Sequence, residues 1–484
     1  MQVKWDHVYD VVVVGLGAAG AAAAITAAEK GSKVVVLEKT EKGGGNSVMS
    51  AAFICPNSRD EALQYITRLK TIEAGGVDAE ELEVIKAFVE EAVGLVDWIR
   101  EIGGEVEEGP VLPGYPIQPV GPSFPQVPGA RSMKRYRVSG MEPRGGESLF
   151  KLLTSRLKSL GVDIMFNTAA KDILSVNDEV VGVLAERNGV DIRIMARKAV
   201  VLACGGYEYS EELKKIFLKV PEIHALGSTS NTGDGVKMAM KLGAALWHMH
   251  DFAGYPGFKP DETPYAFPIR MWQPAFIYVD KHGKRFMNET NIEAHISCLP
   301  LLYFDPVKLE YPRIPSYIVF DEKNREAGPL SPHRAVYGQW SIDNLEEVKK
   351  GWIVKSNDIE TLAEKLGLPP EALRNTVSRY NSFCSKGFDE DFGRTADELI
   401  PIDKPPFYGI KILPCILNTQ GGPRRNARAQ VVHASGKPIK RLYSAGELGS
   451  MWGTLYQSAG NIAECLAFGR IAGRNAAAET PLST

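Results

Sequence analysis

Three glycines, Gly15, Gly17 and Gly20, close the run DVVVVGLGAAG at residues 10–20, and their spacing suits a pyrophosphate. In Gly-x-Gly-x-x-Gly the first glycine permits a tight turn. The second lets backbone approach the phosphates, and the third lets a helix pack on a strand. The helix that opens at Ala18 and Ala19 directs free N–H groups and a positive dipole end at bound anions. Glu38 ends a second apolar run, Val34–Leu37, where its carboxylate can accept from both hydroxyls of a ribose; Lys39 follows it. Directly after come Gly43, Gly44, Gly45, Asn46 and Ser47, a loop whose glycines suggest backbone lying against a cofactor. Cys204, Gly205 and Gly206 follow a buried strand, and Asn231, Thr232 and Asp234 belong to a turn that opens another helix. All of these are candidate cofactor contacts.

The elements that position them read in βαβ order: strand, glycine turn, Ala-rich helix, strand. A helical region follows over 78–102, then a Pro/Gly-rich loop over 111–132 containing Tyr115, then an amphipathic helix over 147–160. Strands are expected at 162–166, 172–175, 180–185 and 198–203, and a helix at 236–242. From about residue 252 prolines and aromatics multiply and the βαβ rhythm stops, although 359–380 is a long helix-forming piece. Glycine-rich strands return late, with a strand at 439–446 and a final helix at 460–478. The expected fold is α/β: a Rossmann-like cofactor domain made of two chain segments, 1–252 and 417–484, with an α+β cap domain, 253–416, inserted between them. Ligand sites in such proteins lie between the two units.

Bulk properties narrow the function. The 484 residues are 44% hydrophobic and 24% charged, as in soluble globular proteins. A net charge of −3 with no basic stripe argues against nucleic acid. The six cysteines are scattered with no CxxC, so neither a disulfide framework nor an iron–sulfur cluster is expected. His248, His250 and Asp251 lack further spaced ligands, and no metal is expected. The start MQVKWDHVYD leads straight into the first strand, and no apolar run reaches membrane-spanning length. The expectation is a cytoplasmic protein without a membrane segment.

A nicotinamide site is usually completed by a second βαβ half soon after the first. Here the second cofactor signal is at the far end: Ser444-Ala445-Gly446-Glu447, then Gly460-Asn461-Ile462 at a helix start. A dinucleotide touched by both chain ends suits FAD. N–H groups at Asn461 and Ile462 would then stabilise charge that gathers on the flavin ring on reduction.

With these motifs the chain resembles the fumarate reductase/succinate dehydrogenase flavoprotein superfamily, including its 3-ketosteroid dehydrogenase branch. Carrying the resemblance are DVVVVGLGAAG, GGGNS, ALGSTSNTGDG, FIYVDKHGKRFMNE at 276–289, NTQGG at 418–422, LYSAGELG and AGNIAECLAFGRIAG at 459–473. It implies bound FAD, an inserted cap domain, and redox chemistry at a C–C bond beside an activating group. The glycine loop lacks the histidine that anchors FAD covalently in the respiratory branch, which implies non-covalent FAD.

Against the dicarboxylate reductases four positions are altered: Tyr255-Pro256 replaces a His-Pro-Thr clamp, Glu293 the arginine acid, Asn418 a histidine and Gln457 an arginine. A site without those cations would hold a dicarboxylate poorly. Against the ketosteroid dehydrogenases, Tyr456 and Gly460 match a tyrosine–glycine pair whose hydroxyl and N–H hold a ketone oxygen. Tyr255 and Tyr278 are further catalytic candidates. The implied activity is reduction or introduction of a C=C bond conjugated to a ketone, in a small apolar enone or steroid-like ring, with hydride exchanged at flavin N5. The alternatives are a reductase of an unsaturated acid other than fumarate, with Arg424 or Arg425 as anion contact, and a flavin subunit that needs an external electron donor or acceptor protein. Phe124, Trp272, Phe407 and Trp452 are candidate aromatic walls of the cleft.

Overall fold

The carboxyl ends of four strands meet on one edge of a sheet, and that edge positions the glycine turn. The structure is a computed structural model that describes residues 4–109, 122–140 and 145–483. The first strand, His7–Val14, lies between Val34–Leu37 and Val190–Leu202, parallel to both. Pro438–Ser444 runs parallel to Val190–Leu202 on its other side, so the late strand joins the early ones in one eight-stranded sheet. Val14 pairs with both Leu37 and Leu202, and Leu202 with Ser444. Gly15, Glu38, Ala203 and Ala445 therefore leave the sheet side by side. In an open parallel sheet this crevice is where ligands bind.

Small residues fix the helix layer above it. The first helix, Ala18–Glu29, packs on the C-terminal helix, Gly460–Ala478. A Cβ on Gly469 would lie 2.5 Å from the Ala19 carbonyl, and one on Gly473 would collide with the Ala23 carbonyl. The alanine run is thus a close-packing surface, which lets helices approach beyond the usual spacing.

Residues from the middle of the chain build a second, seven-stranded sheet. Its central strand, Phe407–Thr419, pairs antiparallel with Phe252–Phe258, Ser316–Asp321 and Ile353–Ser356, and parallel with His224–Ala225. A third sheet of three strands, Phe53–Pro56, Met133–Ser139 and Glu105–Glu108, carries Arg135. The helix-forming piece at 359–380 is two helices, Ile359–Leu366 and Pro370–Lys386. Gly367 at φ 71° caps the first, and Pro370 opens the second. Tyr115 lies outside the described residues.

Candidate active site

A narrow groove of about 80 Å³ runs along the strand ends. Gly15, Gly17, Ala18, Ala19, Glu38 and Lys39 line its first part, and Gly44, Gly45, Asn46 and Ser47 its second. Cys204, Gly205, Asn231, Asp234 and Glu447 complete it. Gly15 has φ 102°, and a Cβ there would sit 2.5 Å from the Ala203 carbonyl oxygen. Gly17 differs: its Cβ would meet nothing nearer than Ser47 Oγ at 3.4 Å, so a side chain there would fill the groove. Glu38 accepts from the Leu16 N–H at 3.0 Å and from the Thr40 N–H at 2.8 Å, which orients its carboxylate. Lys39 donates to Thr232 Oγ1 at 2.8 Å and pairs with Asp234 at 2.7 Å.

Not every predicted cofactor residue faces the groove. Gly20, Gly206 and Gly446 are packing glycines. A Cβ on Gly20 would collide with the Gly15 carbonyl, and one on Gly206 with Thr419 Oγ1 and Glu447. On Gly446 it would lie 2.8 Å from the Ala19 Cβ. Thr232 acts through Lys39.

The groove opens, past Asn46, Ser47, Glu447 and Cys465, into a cavity of about 570 Å³. Asn461 and Ile462 line it at the start of the C-terminal helix. Both polar atoms of the Asn461 side chain are buried without a partner, as are Glu447 Oε1 and Glu208 Oε2. Asn46 Nδ2 donates to Glu208 at 2.8 Å and to Glu447 at 3.0 Å. Burial pushes both acids up, Glu447 well above the usual carboxylate range, which disfavours two charges side by side. A narrow groove with a phosphate turn at one end, and a wide cavity with idle donors and acceptors at the other, fits FAD along its length.

Tyr255 and Tyr456 wall the wide cavity together with Arg135, Arg270 and His295. Burial raises the Tyr456 phenol, so it stays protonated and can donate. Its oxygen lies 3.4 Å from the Asn461 N–H. Gly460 does not join it. The Gly460 N–H donates to the Gln457 carbonyl at 2.8 Å, and a Cβ there would lie 2.7 Å from the Trp452 ring. The turn that starts the helix uses that donor; the N–H beside Tyr456 is Asn461's. Tyr278 is also displaced: it lines a smaller neighbouring cavity, with its backbone N–H on Glu289 at 3.0 Å.

Arg424 and Arg425 do not reach the cavity. Arg424 pairs with Asp78 at 2.9 Å and Glu80 at 3.2 Å. Arg425 is buried against Glu464 and the Gly446 carbonyl. Phe124, Trp272, Phe407 and Trp452 are also absent from the lining.

Of the four altered positions, Tyr255 and Asn418 line the cavity, Glu293 the smaller one beside it, and Gln457 is buried against Tyr65. Cations nevertheless arrive from other elements. Arg135 comes from the three-stranded sheet, and Arg270 lies 4.0 Å over the Tyr255 ring. Neither side chain makes an ion pair or hydrogen bond among the described residues, and both Nε atoms are buried without a partner. Burial pulls the Arg135 guanidinium down, against the attraction of Glu293. His295 donates or accepts through Nδ1 with Glu293 at 2.9 Å, and its ring meets those of Tyr456 and Tyr255. His295 lies two residues beyond Glu293, and no motif in the sequence marks it. Arg135 carried a faint signal, the alternating Met133, Arg135, Arg137 of a strand.

The family description FAD binding domain matches residues 10–462. The chain belongs to this FAD binding domain family. FAD is its cofactor, and the family's fold is the one described above. A 3-oxosteroid 1-dehydrogenase of Mycolicibacterium smegmatis is 29% identical over 98% of this chain and 98% of its own. An NADH:fumarate oxidoreductase of Klebsiella pneumoniae is 27% identical over 97% of this chain, which spans 48% of that relative. The crystal structure of 3-ketosteroid delta1-dehydrogenase from Sterolibacterium denitrificans, in complex with 1,4-androstadiene-3,17-dione, superposes with a TM-score of 0.84. It covers 98% of this chain and 100% of the other at 22% identity, which shows the shared fold. These relatives place the flavoprotein among FAD-dependent oxidoreductases acting on CH–CH groups.

Proposed function

We propose that this flavoprotein reduces or introduces a C=C bond conjugated to a carbonyl, and that the carbonyl belongs to an unsaturated organic acid. The observation that carries the acid reading is the pair Arg135 and Arg270, which face the cavity and make no ion pair among the described residues, Glu293 being the nearby carboxylate. A half-buried guanidinium without an ion pair is costly, and a substrate carboxylate relieves that cost while gaining charge-assisted hydrogen bonds. FAD, when bound, would give or take the two electrons as a hydride. The chain does the rest. Arg135 and Arg270 hold the anion, and the Tyr456 hydroxyl, which accepts from the Asn461 N–H, stands where negative charge develops on the carbonyl oxygen. Largely apolar walls, including Leu226, Met49 and Leu417, exclude water.

A second reading, a cyclic enone or 3-ketosteroid, is favoured by the neutral donor Tyr456 and by the names of the steroid dehydrogenase relatives. Competition separates the two. Short unsaturated and saturated monoacids should inhibit or turn over in a manner weakened by salt, and equal inhibition by neutral ketones at all ionic strengths would favour the second.

The same reading takes the chain as a 1–252 and 417–484 flavin domain with a 253–416 cap. FAD is held non-covalently, since the loop at Gly43–Ser47 offers no histidine. Electrons are exchanged with a separate donor or acceptor protein. Six free cysteines suit a reducing, cytoplasmic compartment. Among the described residues no helix is long and apolar enough to cross a membrane.

A further inference from the structure

Reduction of a conjugated C=C needs a proton at the α-carbon as well as a hydride at the β-carbon. Tyr456 is a poor carrier of that proton, because burial holds its phenol well above the physiological range. We infer that His295 carries the substrate proton and that Glu293 is its positioning carboxylate. The inference rests on the C=C reading above and adds a residue to it.

Geometry supports the assignment. His295 lines the large cavity and the smaller one beside it. Its Nδ1 is 2.9 Å from Glu293 Oε1, while its backbone N–H donates to Glu293 Oε2 at 2.7 Å. Two bonds to one carboxylate fix both the backbone and the ring. The carboxylate keeps the proton on Nδ1, which leaves Nε2 as the exchanging atom. Nε2 has no partner among the described residues. The ring stands edge-on to Tyr456 at 5.0 Å and tilted against Tyr255 at 5.2 Å between centroids. It is therefore held beside the two tyrosines that wall the substrate space. The charged groups facing this corner are Glu293 on the same segment, Arg135 from the three-stranded sheet and Arg270 over Tyr255. Glu293 stays ionised: burial pushes it up, but His295 and its hydrogen bonds bring it below the usual carboxylate range.

In the reducing direction the Nε2–H bond of protonated His295 breaks as the α-carbon takes the proton and the C=C π pair forms the new C–H bond. Neutral His295 then regains a proton from water. In the dehydrogenating direction neutral Nε2 removes the α-proton. The hydride at the β-carbon is the cofactor's share in both directions.

The test is anaerobic reoxidation of photoreduced holoenzyme by unsaturated acids and enones across pH 5–9, followed by flavin absorbance. His295→Gln should slow reoxidation by about 100-fold or more, the scale of a lost general acid, and abolish the basic limb of the pH profile. Glu293→Gln should slow it by about 10-fold and move that limb to lower pH, which a merely structural role would not do. Tyr456→Phe should slow it yet keep the limb in place. A saturated analogue that perturbs the flavin spectrum equally in wild type and His295→Gln shows that the variant is folded and binds. A His295→Gln rate within about 3-fold of a responsive wild type, or an unmoved limb, overturns this inference alone. Silence of the wild-type flavin to every compound overturns the C=C reading and this inference with it.

Discussion

At the scale of single residues, the four cation positions expected for a dicarboxylate site are altered, yet the cavity still holds two guanidinium groups. Arg135 and Arg270 come from strands and loops that no local motif marks as part of a site. On the proposed reading, their presence favours an acid over a neutral ketone. Arg270→Gln and Arg135→Gln should each lower kcat/KM for an unsaturated acid by about 10- to 100-fold, the value of a hydrogen bond to a charged group, and change an enone by less than about 3-fold. Steady-state kinetics at low and high salt decides it; equal losses for both substrate types would mean that the arginines shape the cavity without selecting charge. Gly17 and Gly20 separate binding from folding. Gly17→Val should fold but retain little flavin, because its side chain enters the open groove. Gly20→Val should fail to accumulate as folded protein, because its Cβ collides with the Gly15 carbonyl. The ratio of flavin to protein absorbance in purified samples reads the difference.

At the scale of elements, the sequence was most informative where chemistry is local. The glycine turn, Glu38 and the glycine loop are contiguous motifs whose spacing implies backbone geometry; Gly15, Gly17, Glu38 and Gly44 to Ser47 line the groove, while Gly20 packs against the Gly15 carbonyl. The final helix begins at Gly460, as read from the sequence. The role of Gly460 was not legible, because which N–H a helix-start turn consumes depends on the Gln457 carbonyl and the Trp452 ring behind it. His295 and Arg135 were hidden for a related reason. One lies just beyond a motif, the other on a short strand whose partners sit far off in sequence, and only tertiary pairing brings them together. A buried histidine between elements gives a pH prediction. His248 Nδ1 bonds the Ser450 carbonyl at 2.7 Å and its Nε2 faces Lys70 Nζ at 3.2 Å, joining the helix Arg59–Ala74 to the loop before the C-terminal helix. Burial, aided by Lys70, lowers its pKa to about 3. Folding therefore keeps the ring neutral while the unfolded chain protonates near about 6.5, so its stabilisation is lost as pH falls through that value. From pH 7 to pH 5 the wild type should lose about 2 kcal/mol more stability than His248→Asn, measured by urea unfolding; parallel pH dependences would contradict the assignment.

At the scale of the whole molecule, distant segments are joined by buried charge as well as by sheet. Arg425 and Glu464 form a fully buried pair that holds the Gly446–Leu448 turn to the C-terminal helix, and Glu464 also takes Ser450 Oγ at 2.6 Å and the Met451 N–H at 2.8 Å. Glu464→Gln strands the guanidinium and should destabilise the fold by about 3–5 kcal/mol, with flavin lost at lower denaturant than in the wild type. A midpoint unchanged in urea would show that the pair is not structural. The late strand was legible because Leu442–Gly446 repeats the strand-then-glycine pattern of Val11–Gly15, and the two strands flank Val190–Leu202 in the folded sheet. What the seven-stranded sheet does to substrate choice was not legible, since Tyr255 reaches the cavity from a strand, and Arg270 and His295 from separate connections.

The proposed reaction is hydride exchange between FAD and a C=C bond conjugated to a carbonyl, inside the cavity walled by Tyr456, His295, Arg135 and Arg270. Its most direct measurement is the absorbance of the anaerobically photoreduced protein after mixing with fumarate, unsaturated monoacids, cyclic enones and 3-ketosteroids. Rapid return of the oxidised flavin spectrum with at least one unsaturated monoacid or enone, and formation of the matching saturated product, is the predicted result. A reduced flavin that stays reduced with every conjugated compound, yet reoxidises with oxygen, would contradict it.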